Sequence, residues 1–331
     1  MRRLLPDLFT TMLVGAVILA SLLPATGDAA EWLSLLATFA IGLLFFLHGA
    51  RLSTDVVVAG FLHWRLQLFI LVMTFVIFPL IGLAVGFLSP WLIPAPLYFG
   101  ILYLCVLPST VQSSIAFTSI AGGNVPAAIC AASASNIVGM LLTPLLVAGL
   151  FSAGGHIGFS TDMVLKIMYQ LLLPFLAGQL LQPFIGNWVR ARKKLLTPFD
   201  RGSILLVVYL AFSDAVVEGI WNTVELSDLL ILVVADAGIL AVVILLTTLG
   251  GKLMGFNRAD RITAIFCGSK KSLASGVPMA GVIFAGQSIG AIVLPLMLFH
   301  QIQLIVCAWI ARALAETPEA PAAGASVKAG S

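Results

Sequence analysis

Of the 331 residues, 60% are hydrophobic and only 9% are charged, against about 25% charged in a soluble domain. With a mean hydropathy of +1.12, the chain is read as an all-α polytopic membrane protein rather than a soluble enzyme. The net charge of +3 says little about nucleic acid, because the basic residues sit in short loops and not on one patch, and no nucleic-acid partner is expected.

A spanning helix needs roughly 20 mainly apolar residues. Ten candidate spans follow in order: 8–24, 31–50, 67–88, 97–120, 125–151, 163–186, 202–218, 227–250, 262–284 and 288–312. The start, Met1-Arg2-Arg3 with an apolar core and Ala25 to Ala30, imitates a secretory signal. The run Leu8 to Leu23 is long for such a signal, so a retained span is expected. The tail, 316–331, is rich in Ala, Pro, Gly and Ser and reads as a disordered cytoplasmic segment.

Placing the N-terminus in the cytoplasm puts 14 of the 17 Lys and Arg residues on the cytoplasmic side and Lys166 alone outside. Lys270 and Lys271 remain, and they fall inside the ninth span. The expected setting is the plasma (inner) membrane, with both termini cytoplasmic and membrane lipid as a partner. The basic run Arg190-Ala191-Arg192-Lys193-Lys194 is read as a positive-inside loop joining two halves, with an anionic-lipid site as the other reading.

Each half holds five spans. Five is odd, so a repeated unit must insert upside down the second time, as inverted-repeat transporters do. The fourth span of each half carries a polar interruption. In the first half it is Leu107-Pro108-Ser109-Thr110-Val111-Gln112-Ser113-Ser114; in the second it is Gly268-Ser269-Lys270-Lys271-Ser272. A lysine at the bilayer centre costs ~3 kcal/mol or more, so the second stretch must line a watery or protein-filled space. Spans 4 and 9 are therefore expected to be broken and crossing; a small-residue packing seam is the alternative. Half-helix N-termini suit anions, and free carbonyls suit cations. Gln112, Ser113, Ser114, Ser135, Asn136 and Thr143 supply neutral partners for such a site. Asp236, deep in the eighth span, is a candidate charge relay with Lys270 or Lys271 as its guessed partner; a static ion pair is the other reading. Thr110, His300 and Gln301 are candidate substrate contacts, and Gln303 extends the polar stripe of the tenth span. The four cysteines (Cys105, Cys130, Cys267 and Cys307) have no metal-ligand spacing and read as buried apolar residues. With no nucleophile-base pair evident either, no enzyme is expected.

Three stretches together carry a family resemblance: Phe46-Leu47-His48-Gly49-Ala50-Arg51-Leu52-Ser53, Pro108 to Pro144, and Phe266 to Pro278. From about residue 8 to 312 the chain resembles the bile acid:sodium symporter family, most nearly its divergent branch with a Lys-Ser-Leu motif in the ninth helix. The resemblance implies a panel domain (8–50 and 163–218) and a core domain (67–151 and 227–312). It also implies two sodium ions near the crossing. The family's serine-asparagine pair falls on Ser113 and Ser114. The fifth-helix hydroxyls fall on Ala128 and Ala132, with Ser135 and Asn136 a turn further on. The third-helix glutamine falls near Thr74, and the ninth-helix glutamate and glutamine fall near Phe266 and Lys270. Replacing a carboxylate with an ammonium works against a hard cation. Lys270 or Lys271 is thus expected to stand in for one or both sodium ions, with coupling by proton or absent. The expected function is secondary active transport of a small organic anion by alternating access. A cation/proton antiporter and a non-transporting membrane regulator are the alternatives.

Overall fold

The computed structural model describes residues 8–51, 63–89, 91–153, 161–219, 224–285 and 289–315. The charged start, and the Ala/Pro/Gly tail that is expected to be disordered, lie outside the described residues, as do Leu52 and Ser53. The described residues are almost entirely helical. In order the helices are α1 (Leu8–Leu22), α2 (Gly27–Arg51), α3 (Trp64–Leu88), α4 (Ala95–Val106), α5 (Gln112–Ile120) and α6 (Val125–Ala153). There follow α7 (Thr161–Ala191), α8 (Lys193–Val217), α9 (Leu226–Leu253), α10 (Arg258–Gly268), α11 (Leu273–Ile283) and α12 (Gly290–Ala315). Six of them (α2, α3, α6, α8, α9 and α12) are long and apolar enough to cross a membrane.

Apolar side chains cover the outside as well as the core. Phe39, Phe87, Leu180, Phe184 and Leu253 are all exposed, as lipid-facing residues must be. The described tryptophans are exposed too, and Trp32, Trp64, Trp91, Trp188 and Trp309 lie near helix ends. That is the placing of interfacial aromatic anchors.

Helix α2 packs on α7 and α8, and α1 on α8; α8 also packs on α11 and α12, and α7 on α6, while α12 packs on α4 and α9, and α9 on α10. The closest approach is between α2 and α7. A Cβ added at Gly49 would collide with the Phe175 carbonyl, and one at Gly178 with the Phe46 carbonyl. Small residues let two membrane helices meet backbone to backbone.

Two features differ from the sequence expectation. The basic run is not a loop: α7 ends at Ala191, α8 starts at Lys193, and only Arg192 lies between. Helix α8, the expected seventh span, thus begins nine residues before the expected boundary of 202. The third span is not a uniform helix either. It contains a π-turn, Met73–Ile77, where the Phe78 N–H donates to the Met73 carbonyl. The donor that would reach Thr74 one residue later belongs to Pro79, which has none. The Thr74 carbonyl is left without a helical partner.

Candidate functional site

The chain between α4 and α5 (residues 107–111) and between α10 and α11 (residues 269–272) is not helical. Pro108 removes one donor, and the restart at Gln112 leaves several carbonyls unspoken for. The two interruptions touch: the Ser272 N–H donates to the Pro108 carbonyl at 2.9 Å.

Orphaned backbone groups in a membrane interior must be satisfied by protein, and here they are. The Val106 carbonyl accepts from Thr143 at 2.9 Å and the Ser109 carbonyl from Asn136 at 2.9 Å. The Ser109 N–H donates to Ser135 Oγ at 2.9 Å. On the other strand of the crossing, the Phe266 carbonyl accepts from Ser114 at 2.9 Å and the Cys267 carbonyl from Ser109 at 2.7 Å. Ser269 bonds back to Ile265 at 2.6 Å. Ser272 caps α11 by accepting from the Ser275 N–H at 3.1 Å, and Ser275 Oγ donates to Asn136 at 2.7 Å.

The two lysines have different fates. Both are fully buried. The Lys271 ammonium donates to three carbonyls: Thr74 at 2.8 Å, Cys105 at 2.8 Å and Leu107 at 2.7 Å. These are the oxygens freed at the π-turn and at the end of α4. The ammonium also sits 4.0 Å from the centre of the Phe78 ring. The Lys271 backbone is held by Gln303, which accepts from its N–H and donates to its carbonyl, both at 2.9 Å. The Lys270 ammonium lies over Phe117 at 3.9 Å, with Phe266 at 5.4 Å, and makes no hydrogen bond. A cation over an aromatic face is attracted by the ring quadrupole.

Neither lysine pairs with Asp236. That residue is fully buried and neither carboxylate oxygen makes a hydrogen bond. The guessed ion pair is therefore absent. The three carbonyls already occupy the donors of Lys271.

Two adjoining cavities, of about 250 and 500 Å³, open beside the crossing. Among the expected residues, Thr110, Ser113, Asn136, Ser272 and His300 line the smaller one. Thr74, Ser114, Ser135, Ser269, Lys270 and Lys271 lie in the packed wall behind it. Ser113 donates to Thr110 at 3.2 Å. Gln301 faces α1, accepting from Thr10 at 3.0 Å, and does not line these cavities. Both cavities share His48, Arg51, Gln112, Thr197 and Asp200. Arg51 is paired with Asp200 through two bonds of 2.6 and 3.2 Å. The N-termini of α5 and α11 reach the same space, and α5 has no side-chain cap. A further cavity of about 730 Å³, lined by Thr38, Gly42, Tyr169, Gln170 and Gly281, lies between α2, α7 and α11.

The sequence singles out the lysines but not Gln303 as the clamp of Lys271, nor the Arg51–Asp200 pair as part of the cavity. The glutamine sits on the polar stripe of the tenth span. Arg51 has the pattern of a loop charge, because a helix-end arginine looks the same whether it faces a headgroup or a cavity.

A buried crossing of interrupted helices, cavities beside it and an apolar exterior define an integral membrane transporter of small solutes. The chain belongs to the SBF-like CPA transporter family, whose pattern matches residues 7–316. It is 54% identical over 322 residues to the protein PA2026 of Pseudomonas aeruginosa, covering 97% of this chain and 96% of that one. It is 53% identical over 306 residues to "Putative symporter YfeH" of Escherichia coli K12, covering 92% of each. Sodium/bile acid cotransporter 7 of Rattus norvegicus is 28% identical over 270 residues, or 81% of this chain and 79% of the rat protein.

Proposed function

We propose that the chain is a secondary active transporter of a small organic anion, of the divergent Lys-Ser-Leu branch of the bile acid symporters. In this reading ten spans form two inverted five-helix repeats. The panel domain (8–50 and 163–218) and the core domain (67–151 and 227–312) exchange the site between the faces of the inner membrane. Both termini are cytoplasmic. The close packing of α2 on α7 and of α1 on α8 supports the division.

One observation carries the choice of an anion. The N-termini of α5 and α11 converge on a cavity whose opposite wall holds Arg51. Helix N-termini carry partial positive charge and unpaired N–H groups, and a guanidinium binds carboxylates through two parallel bonds. Asp200 holds Arg51 in place meanwhile, as a substrate carboxylate would on arrival. Either a proton or a sodium ion meets the energetic need of such a cycle.

The test is a thermal-shift screen of the purified protein against organic carboxylates and sulfonates, with and without sodium. A bound anion raises the melting temperature, and Arg51→Ala should abolish that rise. Failure of every organic anion, in wild type and in reconstituted vesicles, would remove the reading. The buried carboxyl of Asp236 favours a second one, a cation/proton antiporter of the same fold. It predicts that an imposed cation gradient changes lumenal pH with no organic solute present.

A further inference from the structure

We propose that Lys271 is a built-in monovalent cation, occupying by covalent attachment a carbonyl site that would otherwise hold a free alkali ion at the crossing.

The argument starts from the oxygens. Three backbone carbonyls point at one place, and each is free for a reason written in the sequence. Pro79 denies Thr74 its partner across the π-turn, and the chain leaves helical geometry after Val106, exposing the carbonyls of Cys105 and Leu107. Two of the three lie at the C-terminal end of α4, where the helix dipole favours positive charge. Unwound backbone carbonyls at mid-membrane are the standard means of coordinating a small cation.

Into that cage the chain inserts an ammonium, and its three donors meet the three oxygens at 2.7 to 2.8 Å. No side-chain carboxylate contributes. The ring of Phe78 at 4.0 Å closes one side. The backbone of the tether is itself fixed on both its polar atoms by Gln303. A lysine that merely tolerated burial would reach for water, as long cationic side chains do; this one is fully buried and reaches inward.

Two consequences follow. The native crossing needs no free alkali ion to neutralise its carbonyls, so its stability does not respond to sodium. Removing the ammonium while keeping the carbonyls leaves a vacant site of the right charge preference, which a free cation can fill. The purpose of the cation, coupling or rigidity, rests on the transporter reading. Its occupancy of the cage does not, and the assay reads occupancy.

Purified full-length protein is melted in sodium, potassium, ammonium and choline chlorides at equal ionic strength, as wild type, Lys271→Ala and Lys271→Met. For wild type the four curves should coincide. For the variants the midpoint should be lower, and sodium or ammonium should raise it saturably over choline by about 2 °C or more. A saturable sodium-specific rise in wild type would overturn the proposal. So would folded variants whose melting is the same in all four salts. Should both variants fail to fold, the wild-type curves still decide it.

Discussion

Gln303 places both ends of its amide on one peptide unit, that of Lys271. Replacing it with Leu keeps the volume and strands a buried N–H and a buried carbonyl. Each stranded group costs ~1–3 kcal/mol, so Gln303→Leu should lower the thermal midpoint well below that of wild type. Asp236 gives the opposite expectation. Neither carboxylate oxygen makes a hydrogen bond, so Asp236→Asn, which removes an ionisable group from a buried site, should not lower the thermal midpoint. If uptake into vesicles nevertheless falls, the carboxyl acts as a charge relay. Intact uptake would make it a bystander. The lysines were legible from sequence because charge in an apolar run is conspicuous. What they touch was not, since their partners are backbone carbonyls, and those carry no residue code.

The interruptions of spans 4 and 9 could be read because Pro108 and the run from Gly268 to Ser272 break apolar periodicity outright. The π-turn could not be read. Its signal is Pro79, two residues past the π-turn, and a proline inside a membrane span is ordinary. Pro79→Ala restores an N–H that competes with Lys271 for the Thr74 carbonyl. A hydrogen bond to a charged group is worth ~1.5–3 kcal/mol. The variant should therefore melt earlier than wild type although its helix propensity is higher, a reversal of the usual effect of removing proline. Between α2 and α7 the glycines decide the contact. A side chain at residue 178 meets backbone rather than a movable neighbour. Gly178→Leu should consequently destabilise by more than the ~1–3 kcal/mol of common overpacking, seen as loss of monodisperse protein on size exclusion. The boundary at residue 193 was missed because a cluster of Arg and Lys reads as loop on composition, while these residues in fact open a helix.

For the molecule as a whole, the alternating-access reading predicts that the separate cavities open to opposite faces, which gives a labelling test. The four native cysteines are buried, so an impermeant thiol reagent should leave wild type almost unlabelled. Ser113→Cys, in the cavity with Arg51 and Arg201, should label in inside-out vesicles. Thr38→Cys, in the separate cavity near Tyr169, should label from the other face. Labelling of both from one face would contradict the two-sided arrangement.

The carbonyl and amide groups of the crossing find their partners on α3, α4, α5, α6, α10, α11 and α12. The bonds described for it draw no partner from α1, α2, α7 or α8. The hydrogen bonds of the crossing are thus confined to those seven helices, while α7 and α8 meet it by packing alone. Loosening it strand by strand would strand buried polar groups at every step. Sliding it whole past the α2–α7 face breaks none of those bonds. If the proposed cycle operates, its low-cost motion is thus the travel of a solid carriage along a fixed rail.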